Sequence, residues 1–471
     1  MKLLKFDSFK PKQINLYKGS NMNEYKDAFT SFIITICDVL FKPTRKYFGQ
    51  ILFGALMRTG TISTWLRGLT EGTAKRIYEQ LTRIGLRDEY LQRAYSKWLI
   101  ESLALNELTN LELIIDDSPI KRYGKHVQGA GLHHNPTDKS NVSPVCYGFS
   151  LVMLAVRFSH PRWGTIALPL RWRLYVCEKD LKTISERVRP AFKTKLEIAA
   201  ELLFDVKALL DKAGIKSKIT VLFDRGYVSS DLFTKVCQMN FRVVTRFKKN
   251  AIFFELPDLD VESKRRGRPR LYGSKRRIND IVSDPSIPLF RRTVSLYGRR
   301  TLIEYKSIVL TSSITKGVPI LVVASRLIDK KGDAKEWGIF VSSDLTLDPS
   351  EVVRLYSLRF SIEELFKDLK QDCGLGLQQT RRFERSAACV SIVIVGYSLV
   401  EVWALDRDEK ELKSFRNAWD DPERRPSHQN KLCAMRKNML WSLYFEQYTD
   451  RVNPDLLNKI YEDLIFYASA I

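Results

Sequence analysis

The spacing of apolar residues changes along the chain, and each change predicts a different kind of structure. Over residues 25–105 apolar side chains recur at helical intervals, which predicts several short helices. Between residues 111 and 247 short runs of branched apolar side chains predict strands, and the stretch over roughly 182–213 predicts a long helix. The order of three strands, helix, strand, helix and strand predicts an α/β fold.

The pattern changes again in the second half of the chain. Residues 248–347 contain short strand-like segments separated by turns, which predicts a β-rich insertion into the α/β fold. The stretch 389–405 is apolar and approaches the length of a membrane span. Because Glu401 and Asp406 limit this stretch, we expect a buried core helix instead.

Composition and charge narrow the class of protein. The chain has 471 residues, and 77 Lys and Arg against 54 Asp and Glu give it a net charge of +23. Such an excess indicates a polyanionic partner, and nucleic acid is the commonest one. A membrane surface is the other polyanion, but the sequence has no signal-peptide pattern and we expect a cytoplasmic protein without a membrane partner. The seven scattered cysteines predict reduced thiols and no structural zinc.

The most informative polar pattern lies in residues 356–370, which contain neither proline nor glycine and are expected to form one helix. At about 100° per residue, Arg359, Glu363 and Lys370 share a narrow sector of this helix, with Tyr356 beside them. A carboxylate can bind a hard divalent cation and the two cations can hold phosphate oxygens, so this face suits chemistry on a nucleic-acid backbone. A solvated helix face with charge pairs explains the same spacing.

Two apolar runs upstream of this helix end in acids. The run LELII is followed by Asp116 and Asp117, and the run KITVLF is followed by Asp224. Carboxylates at the ends of strands lie where α/β sheets bind ligands. For each acid taken singly, the alternative is an aspartate that only caps the following turn.

Together these residues resemble the Tyr-Arg-Glu-Lys signature of DDE-type cut-and-paste transposases of bacterial insertion sequences, over about residues 111–379. The resemblance implies a ribonuclease H-like catalytic core in which Asp116, Asp224 and Glu363 bind two Mg²⁺ ions, for which Mn²⁺ can substitute. The family pattern places a Ser or Thr two residues after the first acid, which selects Asp116 because Ser118 follows Asp117. Asp117 is then the second choice.

The resemblance also implies roles for the other signature residues and a reaction. Tyr356, Arg359 and Lys370 are expected to be catalytic residues that hold or orient the phosphodiester. The implied enzyme binds the terminal inverted repeats of an insertion sequence, cleaves the ends and joins the 3′ ends to target DNA, as a homodimer in the synaptic complex and at the nucleoid. A two-metal nuclease and a DNA-binding protein derived from a transposase are the alternatives.

Basic residues outside the signature are candidates for DNA contact. The loop 264–277 contains Arg266, Gly267, Arg268 and Pro269, which resemble an AT-hook that lays arginines in a narrow minor groove. A flexible loop that binds phosphates is the alternative interpretation, and it includes Arg270. Two further DNA-binding candidates lie close to the acids in sequence: Lys121 and Arg225.

The patterns divide the chain into six predicted parts. The N-terminal helices are expected to bind DNA, although a plain helical bundle explains the same residues. The parts are a flexible basic leader (1–24), a helical DNA-binding domain (25–106), the first part of the ribonuclease H-like core (107–247), the β-rich insertion (248–347), the second part of the core with the catalytic helix (348–404) and a helical C-terminal region (405–471).

Overall fold

The computed structural model of the chain describes residues 32–440, except for 33–34, 37, 67–73, 135–143, 161–163, 258–269, 330, 414–420 and 422–423. The predicted leader (1–24) and the end of the predicted C-terminal region (441–471) lie outside the described residues. The six cysteines within the described residues are free thiols, as their scattered positions predict.

Within the described residues, four helices form the N-terminal part, as the apolar spacing predicts. They are α1 (Lys42–Met57), α2 (Ile62–Leu66), α3 (Ala74–Gly85) and α4 (Asp88–Ser102). Pro43 lies in the first turn of α1, where a missing N–H costs nothing. The buried side chains of these helices belong to one continuous hydrophobic core with the strands that follow.

The strands of the core form a mixed sheet. They are β1 (Asn110–Lys121), β2 (Gly131–His134), β3 (Val145–His160), β4 (Gly164–Tyr175), β5 (Lys218–Phe223) and β6 (Arg242–Phe247). Strand β1 pairs antiparallel with β3 and parallel with β5, and β5 pairs parallel with β6. The predicted strand order is therefore present, with β2 as an added edge strand that the sequence did not indicate.

The helices of the core are shorter than predicted. They are α5 (Glu178–Leu181), α6 (Lys195–Lys212) and α7 (Ser230–Gln238). The prediction of one helix over 182–213 is wrong in its first half, because Pro190 interrupts this stretch and α6 begins only after Thr194. Thr194 and Glu197 form a capping box that fixes the start of α6.

Most of the predicted β-rich segment continues the core sheet, and its first two strands pair with each other in a separate sheet. Its elements are β7 (Phe253–Phe254), β8 (Lys275–Arg276), α8 (Ile278–Ser283), β9 (Phe290–Leu296), β10 (Arg299–Leu310), β11 (Ile320–Ile328) and β12 (Gly338–Ser342). Strand β12 pairs antiparallel with β6, so within the described residues the sheet has the order β2-β3-β1-β5-β6-β12-β11-β10-β9, with β4 on β3. The added strands cover the edge of β6, which would otherwise present unpaired backbone groups.

Helices complete the described chain. They are α9 (Pro349–Leu358), α10 (Phe360–Gln371), α11 (Phe383–Ala404), α12 (Glu409–Lys413) and α13 (His428–Leu440). The prediction of one helix over 356–370 is wrong at Arg359, where α9 ends and α10 begins. At this position Arg359 N–H donates to Tyr356 O and Ile362 N–H donates to Arg359 O, bonds one residue shorter than those of an α-helix.

Helix α11 passes through the centre of the core. Among the described residues it is the helix long and apolar enough to cross a membrane, yet 94% of its apolar window is buried inside the protein. Its polar groups find partners there: Ser398 Oγ lies 2.7 Å from Tyr95 Oη, and Ser391 Oγ accepts from Trp172 Nε1 at 3.0 Å. The expectation of a buried core helix agrees with this packing.

Candidate active site

Strand register brings the first two acids to neighbouring positions. The parallel pairing of β1 with β5 ends at Ile115 and Phe223, so Asp116 and Asp224 are the next residues on adjacent strands. Strand β1 does not end at the acids as predicted, because its pairing with β3 continues to Lys121. Asp224 directly follows the end of β5 and precedes the short 3-10 turn Arg225–Tyr227.

Arg359 links the first acid to the helix glutamate. Arg359 Nη1 donates to Asp116 Oδ2 at 2.8 Å, and Arg359 Nη2 donates to Glu363 Oε1. Arg359 Nε is buried without a hydrogen-bond partner among the described residues. Two of the three predicted acids therefore share one cation, which the sequence had assigned to phosphate.

The environment of Asp116 favours its protonated form. Burial raises the pKa of Asp116 to about 6, and the negative charges of Asp117 and Asp224 act in the same direction. Arg359 and the backbone N–H of Asp117 oppose this increase but do not cancel it. A cation closer than Arg359 would stabilise the ionised carboxylate.

Tyr356 contacts the second acid. Its hydroxyl donates to Asp224 Oδ1 at 3.1 Å, and its ring packs edge-on against Phe340 with centroids 5.2 Å apart. Burial raises the pKa of Tyr356 to about 12, so the hydroxyl stays a donor over the physiological range. Tyr356 and Arg359 are therefore neighbours in the signature that contact different acids: Tyr356 bonds Asp224, and Arg359, where the two helices meet, bonds Asp116.

Lys370 contacts β1 two residues after the first acid. Its Nζ donates to Ser118 Oγ at 2.6 Å, and Ser118 is on the same face of β1 as Asp116. Burial lowers the pKa of Lys370 below its ordinary value, and the charge of Lys121 acts in the same direction. An anion placed beside Lys370 and Lys121 would relieve this repulsion.

Asp117 points to the opposite face of β1 and has its own partners. It accepts hydrogen bonds from Lys195 Nζ at 2.6 Å, Ser150 Oγ at 2.7 Å and Tyr227 Oη at 2.9 Å. Burial alone would raise the pKa of Asp117, but the charge of Lys195 and these hydrogen bonds outweigh burial and lower it. Asp116, and not Asp117, therefore faces the signature helix.

The sequence reasoning missed this supporting network. Tyr227 lies three residues after Asp224, and Lys195 directly follows the helix cap at Thr194. A local sequence feature could therefore have identified each of these two residues. Their shared contact with Asp117 depends on tertiary structure, and no local sequence feature indicates it. The network connects β1, β3, α6 and the turn after Asp224.

The structure places the predicted DNA-binding residues in three different situations. Lys121 is exposed at the end of β1, and Arg225 is exposed directly after Asp224. Arg270 is also exposed, before β8. Arg266 and Arg268 lie outside the described residues.

The three carboxylates are of the kind that binds a hard divalent cation, although in this structure they are not arranged around one metal position. Within the described residues, no group of three His, Cys, Asp or Glu side chains is close enough to hold a metal ion. The donor set nevertheless consists of carboxylate oxygens, the ligands that Mg²⁺ prefers. Asp116 and Glu363 already converge on one cation, the Arg359 guanidinium, and Asp224 is the strand neighbour of Asp116. The donor types therefore fit such ions, whereas in this structure two of the three carboxylates pair with Arg359.

A mixed α/β sheet with acids directly after the parallel pairing of two adjacent strands is consistent with a ribonuclease H-like DDE domain. The chain matches the DDE superfamily endonuclease family over residues 38–296, which is more than half of its length, and it belongs to that family. The prediction of a DDE-type enzyme family is thereby confirmed, and it implies a nuclease-type enzyme with a DNA substrate. DDE-type endonucleases generally use divalent metal ions. The match includes Asp116 and Asp224 and ends before Glu363. Comparison with curated proteins gave no match.

Proposed function

We propose that the protein is a DNA transposase of the insertion-sequence type. It binds the terminal inverted repeats, cleaves the ends and joins the 3′ ends to target DNA by two-metal-ion phosphoryl transfer. The proposed domain roles follow the sequence: residues 25–106 bind DNA, and the ribonuclease H-like core carries the chemistry on either side of the β-rich insertion. The working form is a homodimer on the paired ends, at the nucleoid.

One observation carries the proposal. Asp116 and Asp224, which directly follow the parallel pairing of β1 with β5, both contact residues of one short segment, because Arg359 bonds Asp116 and Tyr356 bonds Asp224. The segment also supplies Glu363. Three separate parts of the chain, far apart in sequence, thus meet at the residues that the signature selects.

The proposed roles follow from charge and position. Asp116, Asp224 and Glu363 hold two Mg²⁺ ions, which when bound would lower the pKa of water or a 3′-hydroxyl and neutralise the leaving oxygen. Lys370, near Lys121, holds a phosphate oxygen of the strand to be cut. Tyr356 fixes the rotamer of Asp224 through its hydrogen bond.

Arg359 has two positions in this proposal. Without DNA its guanidinium neutralises Asp116 and Glu363, as the two ion pairs support. With metal ions bound to the two carboxylates, Arg359 would instead hold a phosphate oxygen. Its buried Nε has no hydrogen-bond partner among the described residues, which supports a second position for this side chain.

The proposal is tested with DNA taken from both sides of the coding region. Purified protein, Mg²⁺ or Mn²⁺, labelled end fragments and a supercoiled target plasmid are incubated together. A transposase produces fragments joined to the plasmid, whereas a nuclease releases cut ends without joining. Absence of metal-dependent cleavage by the wild-type protein, in the presence of specific end binding, would favour a non-catalytic DNA-binding protein and overturn the proposal.

A pair of substitutions decides the register of the first acid. Asp116→Asn should abolish cleavage and joining, whereas Asp117→Asn should retain measurable cleavage, because Asp117 is occupied by Lys195, Ser150 and Tyr227 on the other face of β1. The reverse result would move the first acid to Asp117. It would leave the other assignments unchanged.

A further inference from the structure

A basic cleft lies between α3 and α11, away from the acids. It has a volume of about 550 Å³ and is open to solvent. Its walls carry the cations Lys75, Arg83, Arg382 and Arg385 and the hydroxyls of Tyr78 and Thr82. Glu79 is also on the wall, so the described lining residues carry four positive charges and one negative charge. We call this feature the α3–α11 cleft.

Close helix packing fixes the shape of this cleft. A Cβ built at Gly85, the last residue of α3, would lie 1.9 Å from the carbonyl oxygen of Glu384, in the first turn of α11. The two helices can approach this closely only because Gly85 has no side chain. Arg385 adds a second connection, because its Nε donates to Thr82 Oγ1 at 2.8 Å and its guanidinium lies 5.3 Å from the centre of the Tyr78 ring. The cations are therefore presented by a rigid pair of helices.

The positive charges in the cleft are incompletely neutralised. Burial lowers the pKa of the Arg385 guanidinium, and the charge of Arg382 lowers it further. The nearest carboxylate oxygen recorded for Arg382 belongs to Glu384, at 3.7 Å, which is longer than a hydrogen bond. Crowded cations beside the start of a long helix form an environment that favours an anion.

The cleft is connected to the proposed active site through the backbone. Gln128 N–H donates to Arg381 O at 2.8 Å, and Gln128 Oε1 accepts from Phe383 N–H at 3.3 Å. The loop that follows β1 is thereby attached to the start of α11. Twelve peptide units separate Lys370 from Arg382, so the cleft lies at most about 43 Å from Lys370, at ~3.6 Å per unit. This span corresponds to about thirteen base-pair steps of ~3.4 Å.

We propose that the α3–α11 cleft is a second phosphate-backbone contact for the same DNA duplex that enters the proposed active site, made by Lys75, Arg83, Arg382 and Arg385. The inference rests on the proposed function for the identity of the duplex. The cleft recognises the backbone and not the base sequence, because its donors are cations on an open surface. It orients the DNA that flanks the cleavage point and contributes affinity without contacting the reacting phosphate.

The test is a set of exposed substitutions with a matched control. Lys75→Gln, Arg83→Gln and Arg382→Gln are combined in one triple variant, and Arg385 is kept because it supports the packing. The control triple variant is Lys212→Gln, Lys216→Gln and Lys218→Gln, three exposed lysines from the end of α6 to the first residue of β5, at the end of the parallel strands opposite the acids. Both variants lose the same charge. Circular dichroism and thermal unfolding check that both remain folded.

Binding of a labelled 30-base-pair duplex is measured by fluorescence anisotropy, without metal, over a range of salt concentrations. Each lost phosphate contact should reduce the slope of log affinity against log salt by about 0.9. We expect the cleft variant to lose about two to three units of slope and at least about tenfold in affinity at moderate salt, while the control variant changes by less than about twofold. Wild-type slope in the cleft variant, or an equal loss in the control variant, would overturn the inference.

The outcomes separate this inference from the proposed function. If the wild-type protein cleaves and joins DNA but the cleft variant binds like the wild type, the cleft assignment is wrong and the proposed function remains. If the cleft variant loses slope but the wild-type protein never cleaves in Mg²⁺ or Mn²⁺, the DNA contact remains and the proposed chemistry is wrong.

Discussion

Two clusters in this protein combine carboxylates with cations, and they differ in how completely their charges are satisfied. At the site on β1, Asp116 shares the single guanidinium of Arg359 with Glu363, and Glu363 is 43% exposed. In the other cluster, Glu401 of α11 is 2% exposed and has a cation on each oxygen. His428 Nδ1 lies 2.7 Å from Glu401 Oε1, and Lys431 Nζ lies 2.5 Å from Glu401 Oε2.

The pKa values of the two carboxyl groups move in opposite directions. Burial would raise both, and it does raise the pKa of Asp116 to about 6. For Glu401 the charge of Lys431 and the hydrogen bonds from His428 and Lys431 outweigh burial, and the pKa falls to about 2. The Glu401 cluster holds α11 and α13 together and needs no further partner. The Asp116 cluster has capacity for another cation, which is the difference expected between a structural and a functional site.

The largest expected effect is the loss of DNA cleavage when an acid of the candidate active site is substituted. Asp116→Asn, Asp224→Asn and Glu363→Gln should each reduce DNA cleavage and joining by at least about a thousandfold, equivalent to ~4 kcal/mol of transition-state stabilisation, because each removes a proposed metal ligand. End binding should be unchanged or slightly tighter, since an acid near phosphate is lost. Single-turnover cleavage and anisotropy measure the two effects. Full cleavage by the Glu363→Gln protein would contradict the whole assignment.

The same substitution at Glu401 should mainly affect the stability of the protein. Glu401→Gln leaves two buried cations without their carboxylate and should lower the free energy of unfolding by about 3–5 kcal/mol. Glu363→Gln, at an exposed position, should change it by less than about 1 kcal/mol. Urea unfolding of both proteins makes the comparison. An active protein with wild-type stability after Glu401→Gln would show that the buried cluster is not structural.

Removing the cation of the functional cluster should have an intermediate effect. Arg359→Ala should reduce cleavage by roughly a hundredfold and retain metal binding, because Arg359 is assigned to charge neutralisation and phosphate positioning. Isothermal titration with Mn²⁺ measures the metal, and single-turnover cleavage measures the rate. Arg354→Ala is the matched control, since the Arg354 guanidinium pairs with Glu351 on the same helix. Loss of metal binding in the Arg359→Ala protein alone would assign Arg359 a supporting role for the ligands.

The buried cluster also predicts a pH dependence of stability. Burial would lower the pKa of His428, but the neighbouring Cys373 sulfur and the Glu401 carboxylate outweigh it and raise the pKa from 6.5 to about 10. The stability that this imidazolium contributes is fully present below pH 6.5 and is lost as the pH rises towards 10. The free energy of unfolding of the wild type should therefore exceed that of a His428→Gln variant by a few kcal/mol near pH 6, and this difference should decrease at alkaline pH.

Urea unfolding of both proteins at several pH values measures this difference. The Glu401 contribution behaves in the opposite way: its lowered pKa means that its contribution is present above pH 4.5 and is lost as the pH falls towards 2. A difference between wild type and His428→Gln that stays constant from pH 6 to 9 would show that His428 is neutral in the folded protein.

The comparison also shows what the sequence could predict. Asp116 and Asp224 were found because each directly follows an apolar run, and such runs predict strands locally. The bridging position of Arg359 was not found, because it depends on the local tightening between α9 and α10 and on a strand 243 residues away in the chain. The extension of the sheet by β12 was missed for the same reason. Strand pairing with β6 is a tertiary choice that no local pattern specifies.

The smallest expected effect concerns Tyr356. Tyr356→Phe removes one hydroxyl, and with it the hydrogen bond of 3.1 Å to Asp224, while the ring contact with Phe340 remains. A hydrogen bond to a carboxylate contributes about 1.5–3 kcal/mol, and the 3.1 Å length of this one places it at the weak end of that range, which corresponds to a loss of roughly tenfold in the cleavage rate. Because burial raises the pKa of Tyr356 to about 12, the hydroxyl is neutral at working pH and the pH–rate profile should keep its shape. Single-turnover cleavage between pH 6 and 9 measures both quantities. A loss as large as that of Asp224→Asn would mean that the hydroxyl contacts the reacting phosphate directly, and Tyr356 would then have a larger role than fixing Asp224.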